Sequence, residues 1–398
     1  MARKLPRKKS RKVRVEFRKN RANKTRVNDL TREAAPARGE GNVDDLTGSE
    51  RLSGKGDISR RRTVLAEEHD GQFVRTVDVA GCLAGRVVSA IGLHCLVERE
   101  APGEPGDGDR YECTVRRVLR TLARDGRNAV VTGDRVMVRP LGADGVRDSP
   151  DGPEKKMAVV ERVEPRHGVL SREHNRREHM LVTNVDRVVI AASAADPPLK
   201  PTLIDRMLVS AEKGEVEAAV VINKCDLVDD AELEPVADLY RSLGYPVVLA
   251  SAATGRGIGE VRDLLAGRQS VVSGQSGVGK SSLLNAVEPG WSLRVNDVSG
   301  WNRKGTHTTR RAILLRLSHA AGGWVADTPG VRQFALWDVA PFEVEAYFRE
   351  FAPFIPDCKF PDCTHTHEDG CAVKAAVLDG AVSEQRYASY VRISEGED

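Results

Sequence analysis

The feature that most constrains the fold is an eight-residue stretch at positions 274–281, which reads Gly-Gln-Ser-Gly-Val-Gly-Lys-Ser. It matches the pattern G-x-x-x-x-G-K-[ST], in which glycines let a loop curl so that its backbone N–H groups face a phosphate. A short apolar run at 270–272 precedes the stretch, and a segment that favours a helix, 282–287, follows it. This succession of strand, loop and helix suits a phosphate site, because the positive end of the helix attracts an anion.

The residues of this loop are expected to divide the work of holding a nucleotide. Lys280 is predicted to act in catalysis by reaching the β- and γ-phosphates, and the Ser281 hydroxyl is predicted to ligate Mg²⁺. The loop residues predicted to bind the nucleotide are Gly274, Gln275, Ser276, Gly277, Val278, Gly279, Lys280, Ser281 and Ser282.

A second motif indicates that the base is guanine. Asn223, Lys224, Cys225 and Asp226 form N-K-x-D directly after the apolar run 217–222. The Asp226 carboxylate can accept hydrogen bonds from N1–H and from the 2-amino group of guanine, whereas adenine offers no such pair of donors. Sites that depend on such pairing discriminate by about 10⁴–10⁵. All four residues are therefore predicted to bind GTP, with the stem of Lys224 along the base plane.

Two further elements complete the predicted GTP site. Ser251 and Ala252 follow the next predicted strand and resemble the S-A element that supports the base from its other edge. Asp327 and Gly330 form D-x-x-G after an apolar run. In this element the carboxylate is linked to Mg²⁺ and the glycine N–H senses the γ-phosphate.

The first switch is expected at Thr306-His307-Thr308-Thr309, between the phosphate loop and Asp327. One threonine should complete the Mg²⁺ shell; Thr308 is favoured, and Thr309 stays open. The position after D-x-x-G, where Ras-like enzymes carry a water-orienting Gln, holds Val331, which cannot orient water. His307 is therefore the predicted catalytic residue, since a neutral imidazole can orient water or act as a base; the alternative is a histidine that only packs the switch.

The order of these elements is a circular permutation of the usual GTPase order. N-K-x-D and S-A come first here, and the phosphate loop, the threonines and D-x-x-G come after them. The segment after Gly330 leads straight into the C-terminal region, so movement of this switch on loss of the γ-phosphate is expected to pull on that region.

Composition and pattern indicate several domains in a chain of 398 residues. Residues 1–25 carry twelve Lys or Arg and one acid, so this arm is expected to be disordered and to contact a polyanion; a solubility tail is the alternative. About five short alternating runs between 78 and 165 predict a small barrel, plausible as an OB-fold. Strands and helices alternate from about 184 to 337, as in a parallel α/β sheet.

No apolar run reaches the roughly 20 residues of a membrane span, and no secretory signal is visible, so a cytoplasmic protein is expected.

The seven cysteines are an odd number, which argues against a disulfide framework. Cys358, Cys363, His365 and Cys371 give C-x₄-C-x-H-x₅-C. Three thiolates and one imidazole suit a closed, structural Zn²⁺ site, one per chain, with no open position for catalysis. His367 is the competing fourth ligand, and unliganded core cysteines are the alternative. Helices are predicted at 342–351 and 383–393, and Lys359, Lys374 and Arg386 are read either as phosphate contacts or as solvent-facing charges.

Together, the permuted order, the barrel before it and the Cys/His cluster after it resemble the ribosome small subunit-dependent GTPase A (RsgA) family over about residues 80–392. Further local matches are 184–186, 204–206 and 274–282. The resemblance implies an α/β P-loop GTPase, circularly permuted, with an N-terminal OB-fold barrel and a C-terminal zinc-binding α-helical domain. It also implies late maturation of the small (30S) ribosomal subunit, favours His365 over His367, and points to His307. The chain departs from the family pattern in its longer basic arm and in Thr306-His307-Thr308-Thr309-Arg310, where R-H-T-T-T is common.

The predicted organisation is a disordered basic extension (1–75), an OB-fold barrel (76–168), a permuted GTPase domain (169–337) and a zinc-binding domain (338–398). The expected partners are the 30S subunit, its rRNA and GTP or GDP, for a monomer that does not bind membranes. Two rivals stay open at this point: a non-catalytic RNA scaffold that uses GTP as a structural ligand, and an unrelated P-loop ATPase. Turnover with and without small subunits separates the first, and nucleotide competition separates the second.

Overall fold

The structure is a computed structural model that describes residues 11–16, 51–52, 61–69, 72–100, 109–116, 118–119, 129–141, 146–147, 155–173, 178–293, 312–327 and 339–396. The described residues fall into two compact units. The first is built from the described parts of 1–167, 179–184 and 311–314, and the second from those of 168–178, 185–310 and 315–398. The GTPase core and the C-terminal region, predicted as separate domains, thus share one unit.

Four strands lie in the segment that the composition predicts to be without fixed structure. They are β1 (Arg11–Glu16), β2 (Arg51–Leu52), β3 (Arg61–His69) and β4 (Gln72–Arg75). Strand β3 pairs antiparallel with each of the other three. The prediction of disorder therefore does not hold for these ranges: Arg-Lys-Val-Arg-Val-Glu in β1 alternates with the period of a strand, and the high charge of the segment conceals this pattern. The rest of the basic arm lies outside the described residues.

The predicted barrel is confirmed. Its five strands are β5 (Leu83–Ile91), β6 (His94–Arg99), β7 (Arg110–Val115), β8 (Arg135–Pro140) and β10 (Lys155–Val163), with the short β9 (Val146–Arg147) beside β10. They run in the order β7-β6-β5-β8-β10, and a parallel pairing of β10 with β7 closes the barrel. This is the strand order of an OB-fold, and most residues of its buried core are valines, such as Val136 and Val138 at alternate positions of β8.

Two short strands follow the barrel, β11 (Leu170–Glu173) and β12 (Glu178–Val182), which the sequence patterns do not predict. The central sheet consists of β13 (Arg187–Ser193), β14 (Glu217–Asn223), β15 (Val247–Leu249), β16 (Gln269–Ser273), β17 (Ile313–Arg316) and β18 (Trp324–Asp327), in the order β15-β14-β13-β16-β18-β17. The pairs from β15 to β18 are parallel, and β13 and β14 are buried along most of their length, as expected for a sheet covered on both faces.

Within the described ranges, four α-helices connect these strands: α1 (Pro201–Lys213), α2 (Asp230–Ser242), α3 (Ile258–Leu265) and α4 (Lys280–Val287). Local sequence explains where they begin. Pro201 stands in the first turn of α1, where its missing N–H costs nothing, and the Asp229 carboxylate caps α2 by accepting from the Ala231 N–H. Because the strands are parallel, their carboxyl ends meet at one edge of the sheet, where an open α/β fold places its ligand.

The C-terminal segment, residues 339–396, contains three 3₁₀ helices (Pro341–Tyr347, Arg349–Phe351 and Ile355–Asp357), followed by α5 (Ala372–Leu378) and α6 (Glu384–Ser394). The helix predicted at 342–351 is thus two short 3₁₀ pieces, whereas the second predicted helix is α6. Phe348 and Phe351, three residues apart and fully buried, suit the three-residue repeat. Among the described residues, no helix has both the length and the hydrophobicity needed to cross a bilayer.

Candidate nucleotide site and metal centre

The phosphate loop joins β16 to α4, as predicted, and its glycines adopt backbone that other residues avoid. Gly274, Gly277 and Gly279 have φ values of 154°, 87° and 89°. A Cβ at Gly274 would lie 2.0 Å from the carbonyl oxygen of Ala191, and one at Gly279 would lie 2.5 Å from Asn223 Nδ2. The loop therefore requires glycine at both places, and its close packing forms a cradle of backbone at the start of α4.

Lys280 lies within this loop. Its Nζ donates to the carbonyl oxygens of Gly274 and Gln275, both at 2.8 Å. The ammonium thus spans the curled backbone on which a phosphate chain would rest, which suits a residue that contacts phosphate oxygens. Ser281 and Ser282 stand in the first turn of α4 and are partly exposed.

Asn223 joins the three loops at this edge of the sheet. Its side chain is buried, its Nδ2 donates to the Val278 carbonyl oxygen at 2.8 Å, and its Oδ1 accepts from the Ala252 N–H at 3.1 Å. The first residue of N-K-x-D therefore bonds both to the phosphate loop and to the predicted S-A element. The amide holds these backbones at a fixed separation, so the sequence motifs converge on one site.

The other three residues of N-K-x-D differ in their exposure to solvent. Lys224 has a left-handed φ of 63°, and its Nζ donates to the Asp196 carbonyl oxygen. Its Cε would lie 3.9 Å from a Cβ at Gly279, so its stem passes along the phosphate loop. Cys225 is buried, and burial raises the pKa of its thiol. Asp226 is exposed, and within the described part of the chain its carboxylate has no hydrogen-bond or ion-pair partner, so its oxygens can accept from a ligand.

Ser251 is fully buried at the carboxyl end of β15. Its Oγ accepts from the Thr254 N–H at 3.1 Å, and its own N–H donates to the Arg256 carbonyl oxygen. Gly257, with φ of 70°, closes this turn against the Leu249 carbonyl oxygen. The loop is therefore rigidly bonded and presents Ala252 to Asn223.

Asp327 ends β18, two strands away from β13 and on the same edge as the phosphate loop. Burial raises the pKa of its carboxyl. A divalent cation nearby would offset this effect by favouring the carboxylate. Gly330 and the switch residues Thr306, His307, Thr308 and Thr309 lie outside the described residues, as does Val331.

The structure brings four predicted metal ligands together. Ligand atoms of Cys358, Cys363, His365 and Cys371 all lie within 4.8 Å of one another, and the cluster can hold one metal ion. The His365 Nδ1 atom is 3.5 Å from Cys358 Sγ and 3.4 Å from Cys371 Sγ. Burial raises the pKa of the Cys363 thiol to about 12, and a bound cation would counteract this by binding the thiolate. The competing ligand, His367, has a side chain that is 82% exposed and lies outside the cluster.

Two tyrosine hydroxyls form hydrogen bonds with the loop that carries His365. His365 has a left-handed φ of 58°, and its carbonyl oxygen accepts from the Tyr387 hydroxyl at 2.7 Å. The Tyr390 hydroxyl donates to the Thr364 carbonyl oxygen at the same distance. On the far side of the ring, His365 Nε2 lies 3.0 Å from Glu345 Oε2, although the angle falls short of a hydrogen bond. A carboxylate at this place favours Nδ1 as the ligand atom.

The prediction for Arg386 is wrong, and nothing in the sequence indicates its partner Asp205. Arg386 is 1% exposed, so it neither faces solvent nor is available to a phosphate. It forms an ion pair at 2.6 Å with Asp205 on α1, which is fully buried. An Arg in a helix with polar neighbours has the same local pattern whether it is exposed or buried, so the interpretation failed for lack of tertiary information.

Comparisons with known proteins agree with this geometry. A family model described as RsgA GTPase matches residues 163–337. A protein of Chlorobaculum parvum, named small ribosomal subunit biogenesis GTPase RsgA, is 38% identical over 79% of this chain and 98% of its own length. A protein of Dickeya dadantii with the same name is 40% identical over 78% of this chain and 84% of its own length.

Two solved structures are similar over most of the chain. YjeQ from Thermotoga maritima has a TM-score of 0.61 and 36% identity, and covers 79% of this chain and 98% of its own. YloQ, described as a circularly permuted GTPase, has a TM-score of 0.59 and 27% identity, and covers 81% of this chain and 97% of its own. With the phosphate loop and N-K-x-D joined through Asn223, these likenesses show that the chain belongs to the RsgA family of circularly permuted, GTP-hydrolysing P-loop enzymes.

Proposed function

We propose that this protein binds the small (30S) ribosomal subunit, acts in its late maturation and hydrolyses GTP to GDP and phosphate at a rate that the subunit stimulates. The proposal is supported by the names of the relatives and by one observation above all: Asn223 connects the phosphate loop with the base-reading loops. With that connection, the phosphate loop and the exposed Asp226 carboxylate lie at the same edge of one sheet, which supports binding of a guanine nucleotide.

Different residues bind the phosphates and the guanine base. Backbone N–H groups of 274–281 and the Lys280 ammonium hold the phosphates, Asp226 accepts from the guanine edge, and Ala252 supports the base from the other side. Cys225 contributes backbone, because its thiol is buried. Guanine is preferred over adenine because only guanine supplies two donors to Asp226.

Mg²⁺ fits the residues at the phosphate end. Ser281 would supply a hydroxyl ligand from the first turn of α4, Asp327 a carboxylate from the end of β18, and Thr308 a hydroxyl from the switch. When bound, the ion would neutralise charge that develops on the phosphates. Lys280 contributes to the same neutralisation as a fixed positive charge beside the loop carbonyls.

Water activation is assigned to His307, since Val331 cannot orient water. A neutral imidazole accepts a proton from water or holds it in line with the γ-phosphate. The switch lies between α4 and β17 in the sequence, and the bound subunit is expected to order it. Intrinsic turnover is therefore slow, and stimulated turnover is fast.

The cluster in the C-terminal segment is assigned to structural Zn²⁺. Three sulfur ligands and one imidazole suit zinc, whereas Mg²⁺ and Ca²⁺ take oxygen ligands. Four protein ligands close the site, so the ion stabilises the segment and takes no part in hydrolysis. The barrel, the metal-bearing segment and the basic arm are proposed to contact rRNA, for a monomer in the cytoplasm.

The test is a GTP hydrolysis assay with added small subunits, large subunits or free rRNA. Small subunits should accelerate turnover, and large subunits should not; equal rates in all three mixtures would contradict the proposal. His307→Ala should abolish the acceleration while nucleotide affinity is retained. Lys280→Ala should weaken nucleotide binding itself, so the two variants separate catalysis from binding.

A further inference from the structure

Helix α1 forms a wall beside the phosphate loop. Leu203, Ile204 and Met207 of this helix line a cavity together with Gln275 and Val278 of the loop. The position of α1 therefore determines how much room the loop has on this side.

The residues that lead into α1 also touch the nucleotide site. The carbonyl oxygen of Asp196 accepts from Lys224 Nζ. The Cδ atom of Pro197 lies 3.6 Å from the place of a Cβ on Gly277. A shift of α1 would thus reach both the phosphate loop and the N-K-x-D loop.

The opposite face of α1 is bonded to the C-terminal segment. Arg386 Nη1 donates to Asp205 Oδ1 at 2.6 Å, and the same oxygen accepts from the Tyr240 hydroxyl at 2.9 Å. The guanidinium also donates to both carboxylate oxygens of Glu350, at 2.6 and 3.2 Å, and lies 4.3 Å from the centre of the Phe348 ring. Arg386 is 1% exposed, so this pairing is screened from solvent.

Three further contacts follow the same face of the helix. They pair Thr202 with Ser389 (3.3 Å), Glu212 with Arg349 (2.6 Å), and Lys213 with Glu343 (2.7 Å). Since an α-helix turns 100° per residue, positions 202, 205, 212 and 213 fall on the side opposite to 203, 204 and 207. One helix therefore has the nucleotide loop on one face and the metal-bearing segment on the other.

We propose that α1 couples nucleotide binding to docking of the metal-bearing C-terminal segment, with Arg386 as the positioning residue. In the docked state, Arg386 holds Asp205 and with it the wall beside the phosphate loop, so the loop is preorganised for nucleotide. The docked state then binds guanine nucleotide more tightly than the undocked state. By thermodynamic reciprocity, nucleotide stabilises docking by the same factor. The inference rests on the proposed function in that the nucleotide is GTP or GDP.

This route is independent of the switch after Gly330. The sequence suggests that the switch pulls on the C-terminal region along the chain, whereas α1 acts on that region through side chains. Of the contacts described for Arg386, the ion pair with Asp205 is the one that reaches α1, so we expect its effect on nucleotide affinity to pass through that pair.

The test compares GDP dissociation constants, measured by calorimetry on the full chain. Arg386→Met should weaken GDP binding by about 5-fold or more, within the range of ordinary coupling, while metal content stays at that of the wild type. Because Arg386 also pairs with the largely buried Glu350 carboxylate, the triple variant Asp205→Leu, Glu350→Gln and Arg386→Met removes all three charges of this cluster. It should recover most of the affinity, because docking then buries no unpaired charge. Arg349→Met removes the exposed partner of Glu212 on the same helix and should change affinity less than about 2-fold.

Hydrogen exchange supplies the reciprocal readout, and its measurement on the wild type does not depend on a variant that folds. In the wild type, GDP should slow exchange in peptides of α6, and in Arg386→Met this protection should be lost. Unchanged exchange in wild-type α6 on GDP addition, or equal GDP affinity in wild type and Arg386→Met, would overturn the inference alone. A wild type that binds no guanine nucleotide would overturn the proposed function as well.

Discussion

Asn223 Nδ2 donates to the carbonyl oxygen of Val278 across 55 positions of sequence, at 2.8 Å. This single bond joins the loop that is proposed to read the base to the phosphate loop. Because the Oδ1 of the same amide accepts from Ala252, both ends of the side chain are used. Asn223 therefore connects the loops at the carboxyl ends of three strands, β14, β15 and β16.

Removing this amide should weaken nucleotide binding. Asn223→Ala leaves the buried Val278 carbonyl oxygen without its donor, and such a loss costs about 1–3 kcal/mol. We expect a lower unfolding temperature and at least a roughly tenfold weaker affinity for GDP, since about 1.4 kcal/mol corresponds to a factor of ten. Calorimetry and thermal unfolding measure the two effects.

Asn285 provides the matched control. Its amide also makes two backbone bonds, both with Leu293, at 2.8 and 2.7 Å. Asn285→Ala should therefore lower stability by a similar amount without a comparable loss of GDP affinity. A loss of affinity as large as that of Asn223→Ala would show that the effect of Asn223 is one of stability only.

Gly279→Ala tests the shape of the phosphate loop. The new Cβ would lie 2.5 Å from Asn223 Nδ2 on backbone with φ of 89°, and left-handed backbone alone costs about 1–2 kcal/mol for other residues. Nucleotide binding should fall by at least about tenfold in a filter-binding or calorimetric titration. Gly290→Ala is the control, because a Cβ there has nothing within 4 Å. Similar losses in the two variants would refute the packing argument.

Much of this site could be predicted because its motifs stand at strand ends. The apolar run at 217–222, directly before N-K-x-D, is observed as β14 (Glu217–Asn223). Apolar runs define buried parallel strands, and the parallel order then brings their carboxyl ends together. Convergence of the two motifs thus followed from sequence, whereas the bonds of Asn223 did not.

What could not be predicted depends on contacts between distant residues. Arg386 and Asp205 are 181 positions apart, and nothing near either residue indicates a partner. The choice between His365 and His367, two positions apart, depends on loop conformation: His365 takes a left-handed φ and turns into the cluster. In the N-terminal segment, the high charge favours a prediction of disorder, although the residues of β1 alternate with the period of a strand.

Cys371→Ala should remove the metal. The substitution deletes one of the four proposed ligands, whose sulfur also accepts from the Lys374 N–H at the start of α5. Elemental analysis should give one zinc per wild-type chain and almost none in the variant, and peptides of α5 and α6 should exchange faster. A chelator should lower the unfolding temperature of the wild type more than that of the variant. The control variant Cys82→Ala, which lies in the barrel unit, should contain as much zinc as the wild type. Zinc retained in Cys371→Ala would exclude the assigned ligand set.

Three arginines share the buried carboxylate of Glu161 in the barrel strand β10. Glu161 is 2% exposed and pairs with Arg116 at 2.6 Å, Arg75 at 3.3 Å and Arg139 at 3.4 Å. Glu161→Ala removes the shared acid from these guanidinium groups, and breaking a buried pair costs about 3–5 kcal/mol. The midpoint of chemical denaturation should fall accordingly.

Glu164 serves as the comparison for the barrel. It pairs with Arg162 at 2.7 Å, and both side chains are about a quarter exposed. Glu164→Ala should therefore lower the free energy of unfolding by at most about 1 kcal/mol. If the two variants were equally stable, burial of Glu161 would contribute nothing to its effect.

Base selection should depend on Asp226. In Asp226→Asn, an amide NH₂ group replaces one carboxylate oxygen. This group donates hydrogen bonds, so it would face the N1–H or the 2-amino group of guanine, which are also donors. The preference for GTP over ATP should fall by about 10² or more, because the site loses the pairing that only guanine can make. The same amide can donate to the 2-oxo group of xanthine, so xanthosine nucleotides should bind better to the variant than to the wild type. Asp229→Asn is the matched control, since Asn caps a helix as well as Asp does and α2 should start unchanged. A variant at 226 that kept its full guanine preference in competition assays would exclude this carboxylate as the group that reads the base.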